Sequence, residues 1–428
     1  MRKLCIIFVF AAFFHVLCPV AANAGSLVFH GFTEEAFGLR VADEKLTKHQ
    51  SYNMAEQRLQ LKTQYNFDGE DLFSRWQGVF RFKGDFTVDE YFAGKTDFEL
   101  RDANLSFTPV SFMDIKAGRQ VLTWGTGDYL FINDVFPKDY VSFYIGRDDE
   151  YLKKPSDAVK FSFYPSVANV DFIIIPYFEP NSMPDGDRLS FFDNFEGRIA
   201  GTSVDRRLLS PSFQAENFEY DGRVYRNFGS AEAAIYLSRG FDKIARSVKD
   251  QSAREMFYER QDVFGASIRG PFAGGIGNFE GAYVRSPEDP KGDNRLIENS
   301  MSKLMAGYEK DLGGDLKAGL QYYYEQRFEY GAYKAALLPG DYVQDEYRHL
   351  LTQRVTKLYK NQTVMVSLFN FYSPSDQDGY FRFSVACDMT DAWNLTVGAN
   401  IPWGESDMTE FGQMKENKNI FLRLRYSF

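Results

Sequence analysis

Residues 418–428 read KNIFLRLRYSF. Ile420, Leu422, Leu424, Tyr426 and Phe428 share one parity, and Asn419, Arg423, Arg425 and Ser427 share the other. Side chains of a β-strand alternate between two faces, so this segment reads as a strand with one greasy face and one cationic face. The same period of two recurs in RLQLKTQYNF (58–67), RWQGVFRFKGDF (75–86), DAVKFSFY (157–164), LKAGLQYYYE (316–325), YFRFSVACDM (380–389) and WNLTVGANIPW (393–403). Each run is about ten residues long, the length of a tilted strand crossing a hydrocarbon layer.

The connections alternate as well. Short turns fall at 68–72, 108–112, 165–169, 270–275, 311–315, 360–362 and 390–392, and long polar segments fall between them at 124–156, 179–215, 287–298, 328–345 and 404–417. Short turns at one rim and long loops at the other are the pattern of an all-β, transmembrane, antiparallel up-and-down β-barrel. Residues 213–241 decide the count. With FEYDGRVYR descending, NFG as a tight turn and SAEAAIYLSRGF ascending, the chain has eighteen strands; it has sixteen if one hairpin stands outside the membrane. An eighteen-stranded barrel leaves an aqueous bore.

Residues 1–24 read as an exported leader: Arg2 and Lys3, the apolar run LCIIFVFAAFFHVLCPV, and the small-x-small site Ala22-Asn23-Ala24. Residues 25–428 form the expected barrel, and strand one (LVFHGFTEEAFGL) follows so soon that no plug domain is expected. Without Arg2 and Lys3 the 49 basic residues fall to 47 against 59 acids, a net charge near −12 that argues against a nucleic-acid partner. The aromatic fraction is 17% and mean hydropathy −0.37, with no apolar run of helix-spanning length after the leader. An exported, aromatic-rich chain of that hydropathy fits the one membrane class that crosses with strands. The expected location is therefore a bacterial outer membrane, in contact with lipid and lipopolysaccharide. Trp76, Trp393, Trp403, Tyr322, Tyr324 and Tyr426 are expected in the two interfacial girdles.

The segment GRQVLTWG (118–125), followed by TGDYLFINDVFPKDYVSFYIGRDDEYLKKPSDAVKFSFY, resembles a group of proteobacterial outer-membrane barrels with a GRQ-x-x-x-W-G hairpin before a long third loop. More weakly, it resembles the alginate-export type of eighteen-stranded porin. The resemblance covers about residues 95–180. It implies a diffusion channel with an infolded loop, and a terminal aromatic, here Phe428, read by the barrel-assembly machinery. It implies no particular solute.

The long loop after strand five carries Asp128, Asp134, Lys138, Asp139, Arg147, Asp148, Asp149, Glu150, Lys153 and Lys154. It is expected to fold into the bore and set size and charge selection, because its apolar stretches LFINDVF and VSFYI would otherwise face water. Parity places Arg58, Lys62, Arg75, Arg81, Lys83, Lys160, Arg223, Arg269, Lys303, Lys317, Arg354, Arg382, Arg423 and Arg425 on the inner wall. It places Asp85, Asp171, Glu219, Asp221, Glu232, Glu259, Glu280, Glu309, Glu325 and Asp388 beside them. Arg58, Lys62, Arg81 and Lys83 form an expected basic ladder for anionic solutes; the competing reading pairs these cations with lumen acids. Arg119 falls on the lipid-side parity, so a bulge at Gly118 is expected to turn it inward. The expected pore-lining set is Arg58, Lys62, Arg75, Arg81, Lys83, Arg119, Asp128, Asp134, Arg147, Asp148, Asp149, Lys160, Arg382, Arg423 and Arg425.

No catalytic, cofactor or metal site is expected. After the leader the histidines are His30, His49 and His349, without a local nucleophile signature. Cys387 is then the single thiol, and no haem-attachment CxxCH occurs. The sequence reads as a porin-like channel for passive diffusion of small hydrophilic, anionic or polar solutes. The alternative is the barrel of a multi-protein export or electron-transfer complex. Monomer and homotrimer both stay open.

Overall fold

The computed structural model describes residues 28–42, 45–67 and 71–428. The expected leader and its cleavage site lie outside the described residues. The wall begins with β1 (Val28–Arg40), β2 (Tyr52–Asn66), β3 (Val79–Asp89), β4 (Lys95–Val110), β5 (Met113–Val121) and β6 (Pro155–Phe163). It continues with β7 (Asn169–Ile175), β8 (Glu219–Phe228), β9 (Ala231–Phe241), β10 (Arg260–Phe272), β11 (Gly275–Arg285) and β12 (Met301–Asp311). It ends with β13 (Leu316–Arg327), β14 (Tyr347–Tyr359), β15 (Val364–Ser373), β16 (Asp378–Asp388), β17 (Trp393–Gly404) and β18 (Asn419–Ser427).

Each strand pairs antiparallel with its sequence neighbour, and β18 closes on β1 from Phe32↔Ser427 to Arg40↔Asn419. The result is a closed, eighteen-stranded up-and-down barrel, as the alternation requires. Closure removes every sheet edge, so the wall satisfies its own backbone groups without water. Phe428 extends the seam, exchanging two backbone hydrogen bonds of 3.0 Å with Gly31.

Parity divides the wall as the opening segment requires. On β18, Ile420 and Leu422 face outward at 45% and 44% exposure, while Asn419 and Phe421 face inward at 0% and 7%. Trp393 against Tyr426, and Trp403 against Tyr372, lie on the outward face near opposite rims. The turn rim carries Val28, Phe428 and mostly short connections, residues 67–78 being the exception; the loop rim carries the longest connections together with the short ones at 90–94 and 374–377.

Two features depart from strict alternation. Residues 75–86 were expected as one strand, but Leu72–Arg75 form a helical turn capped by Asp71, whose carboxylate accepts from Ser74 N at 3.0 Å. The ladder starts at Val79, so Arg75 sits in the β2–β3 connection and not on the inner wall. The register between β3 and β4 shifts at Lys83/Gly84, leaving Arg101 as the extra residue. A bulge of this kind places successive side chains on one face, and Arg101 enters the bore beside Asp102.

Candidate pore constriction

Residues 122–154, between β5 and β6, turn into the bore. The apolar stretches explain why. Leu130, Ile132, Phe143, Tyr144 and Ile145 are buried against the inner-wall residues Met305, Phe369, Phe371, Tyr380 and Phe421. Full burial of such side chains stabilises by about 1.5–3 kcal/mol each, which an outward-lying loop forgoes. The segment Tyr140–Ile145 forms a short helix, α1, capped by Asp139, which accepts from Ser142 N at 2.9 Å and Oγ at 2.6 Å. Gly146 ends it in the left-handed region (φ +89°), and a Cβ there would run into the Phe421 ring. Glycine is therefore required twice over, by conformation and by space.

Polar anchors fix the rest. Glu280 of β11 is fully buried and accepts from Thr126 N (2.6 Å), Thr126 Oγ1 (2.9 Å), Asn133 N (2.9 Å) and Asn133 Nδ2 (3.0 Å). Tyr380 Oη donates to the Phe143 carbonyl at 3.1 Å, and Asn419 Nδ2 to the Tyr144 carbonyl at 2.9 Å. The loop thus touches the wall from β11 round to β18.

The acidic triplet Asp148-Asp149-Glu150 meets a fan of wall cations. Asp148 takes Arg423 (3.0 Å) and Arg425 (3.1 Å), Asp149 takes Arg382 (2.8 Å), and Glu150 takes Lys83 (2.8 Å) with Gln60 Nε2 at 3.1 Å. Tyr151 lies between Arg58 and Arg101, whose guanidiniums stand 4.0 and 4.8 Å from its ring centre. Asp128 pairs with Arg354 at 3.1 Å. Burial raises the carboxyls of the triplet, but their cations outweigh it: Arg423 and Arg425 at Asp148, Arg382 at Asp149 and Lys83 at Glu150 hold all three below the ordinary carboxylate range.

Most of the expected pore set therefore meets, but as pairs. Arg147 donates through Nε to Glu56 at 2.8 Å. Arg58 is buried beside Glu56 (3.6 Å) and Asp85 (3.7 Å), so it is not an open rung of the ladder. Asp134 does not face the pore; it is buried inside the loop, bonded to Lys138 Nζ at 2.8 Å and Thr123 Oγ1 at 2.9 Å. Arg119 stays on the outward parity. The β5–β6 register runs unbroken through Gly118, and Arg119 pairs near the loop rim with Asp157 (3.2 Å) and Glu179 (3.9 Å). Its charge is neutralised there, which removes the need for the bulge expected at Gly118.

Toward the turn rim the inner wall is different. Lys62 stands directly opposite Lys83, and Lys116 opposite Lys160, with Arg81 between them bonded to Ser106 Oγ at 3.0 Å. Lys160 has Asp171 at 3.0 Å. Lys62, Arg81, Lys116, Arg269 and Lys317 have no carboxylate within ion-pair distance among the described residues. Lys116 was absent from the sequence-derived inventory, although its parity, opposite to Arg119, carried the signal.

No protein-family model matches the chain, and no curated protein matches it. Among solved structures, OccAB4 of Acinetobacter baumannii superposes with a TM-score of 0.57 at 9% identity, covering 95% of this chain and 99% of that one. OmpT, an outer membrane protein of Vibrio cholerae, aligns at TM-score 0.42 and 10% identity over 95% of this chain and 100% of its own. A mutant of the Rhodopseudomonas blastica porin aligns at 0.42 and 9% over 94% and 100%. The superposition on OccAB4 shows a shared barrel fold.

Proposed function

We propose that this chain is an outer-membrane, porin-like channel through which small hydrophilic solutes diffuse passively, with preference for anions. A closed barrel of eighteen strands with outward apolar residues supports the membrane reading, and the infolded loop supports a diffusion path narrowed at mid-height. The observation that carries the anion preference is the cationic arc of Lys62, Arg81, Lys116 and Lys160 on β2 to β6. At the constriction the acidic triplet pairs with the wall cations, and below it, among the described residues, Lys160 has Asp171 while Lys62, Arg81 and Lys116 have no carboxylate within ion-pair distance. Like charges placed directly opposite on neighbouring strands are unfavourable by themselves, so the arc gains from an anion between them.

Reversal potentials across planar bilayers in a salt gradient test the reading. Anion selectivity that falls when Lys62 and Lys116 are changed to Gln is the expected result; cation selectivity of the unaltered protein overturns the preference. A barrel that sheathes a partner in its bore would need the space that residues 122–154 fill, and such a barrel would be silent when purified alone.

A further inference from the structure

The β7–β8 connection, residues 176–218, also enters the barrel. Its residues 187–190 lie inside the loop-rim mouth: Leu189 is fully buried, Asp187 O accepts from Tyr91 Oη at 2.7 Å, and Ser190 O accepts from Asn417 Nδ2 at 2.8 Å. Between them Arg188, itself buried, stacks over Tyr91 and Phe92 and donates to Asp89, to the Asn53 carbonyl (3.0 Å) and to Glu56 Oε1 (2.9 Å). Glu56 is the same carboxylate that Arg147 of the constriction loop grips through both oxygens. Two loops far apart in the chain thus end on one inner-wall side chain, which is 4% exposed.

We propose that Glu56 is a shared latch that holds the constriction loop and the β7–β8 strap in the bore as one unit, so that the loop-rim mouth opens by release of both. The proposal rests on the channel reading only for its conductance. Around Glu56 the charges are Arg58, Arg147 and Arg188 against Glu56, Asp89 and Asp85, with Asp139 at 3.8 Å from Arg147. Glu56 stands between the two loop arginines, and among the described residues no other carboxylate bonds to both. Without its charge the two guanidiniums lose the carboxylate that stands between them, and each loop loses a charge-assisted hydrogen bond. With Arg188 removed, Glu56 is left to Arg147 and to its wall neighbour Arg58, so Arg147 of the constriction loop is held more tightly. Residues that share one partner in this way are coupled, not additive.

The full-length protein, its folding verified by the gel-mobility shift on boiling, tests this by amide exchange and single-channel recording. Glu56→Gln is expected to speed exchange in both 140–150 and 185–191 and to raise conductance about twofold or more, as a widened constriction does. Arg188→Gln is expected to speed exchange in 185–191 and slow it in 140–150. Faster exchange in only one segment of E56Q, or in neither, overturns the latch. If E56Q does not assemble, an unchanged 140–150 segment in R188Q overturns it instead. Exchange that follows the expectation in a folded protein that never conducts would overturn the channel reading and leave the latch standing.

Discussion

Asp149 of the infolded loop and Arg382 of β16 stand 2.8 Å apart, with the Arg382 guanidinium also lying 4.3 Å from the Phe143 ring centre. The arginine is thus held by a carboxylate and an aromatic face of the same loop. Asp149 keeps 54% of its side-chain surface exposed, so the ion pair itself contributes about 0.2–1 kcal/mol. Its larger effect is on the field in the pore. Asp149→Asn leaves Arg382 in place but uncompensated, and anion-over-cation permeability should rise severalfold. Reversal potentials of the variant measure this; an unchanged ratio would remove Asp149 from the selectivity path.

Glu280 anchors the first half of the loop with four accepted hydrogen bonds. Hydrogen bonds to a charged group contribute about 1.5–3 kcal/mol each and are not additive. Glu280→Ala should unseat residues 126–133, giving noisier and larger currents with little change in barrel stability, because the wall ladder is untouched. Amide exchange confined to that segment is the direct check.

Gly146→Val adds a branched side chain at a left-handed position against Phe421. Overpacking costs about 1–3 kcal/mol, and the backbone conformation adds to it. The loop should shift at α1, with loss of the Asn419–Tyr144 and Tyr380–Phe143 hydrogen bonds. Gly197, where a Cβ meets nothing within 4 Å, is the matched control; Gly197→Val should leave conductance unchanged. Single-channel recording of both variants decides.

At the loop rim, burial pushes Glu259 up to about 8, with Glu298, Asp242 and Glu288 adding to the rise against the Ser247 hydroxyl bonded at 2.8 Å. A carboxyl that holds its proton more tightly when folded stabilises its surroundings at low pH and loses that contribution as pH rises between its ordinary value and about 8. Protection of residues 242–259 against exchange should therefore decline over that window, and Glu259→Gln should flatten the dependence. The triplet Asp148-Asp149-Glu150 has the opposite sign. Its clasp persists as pH falls through the ordinary carboxylate range and is lost only below it.

Where the sequence reading failed, a local competitor had won over periodicity. RWQGVFRFKGDF alternates well, yet the Asp71 cap on Ser74 turns its first residues into a helical hairpin connection and takes Arg75 off the wall. Arg119 was expected to leave the lipid side; Asp157, directly across the ladder, neutralises it where it stands. Asp134 carries the charge of a pore residue but serves Lys138 four positions on. Lys116 was legible by parity and was overlooked. Arg101 and Arg188 were not legible, since a bulge and an infolded loop place them; Glu56 shares the inward parity of Arg58 on β2, and only its two loop partners were hidden.

The sequence by itself determined the antiparallel barrel and the inward parity of nearly every wall cation, and the structure decided for eighteen strands over sixteen. Alternation with period two is a local property, and strands that must hide their backbone from lipid do so by closing into a barrel. Only the tertiary structure decided which charges remain available to a solute. Asp148 reaches Arg423 across 275 residues, and Arg147 and Arg188 converge on Glu56 from separate loops. Coulomb pairing depends on distance through space, so no reading along the chain could assign it.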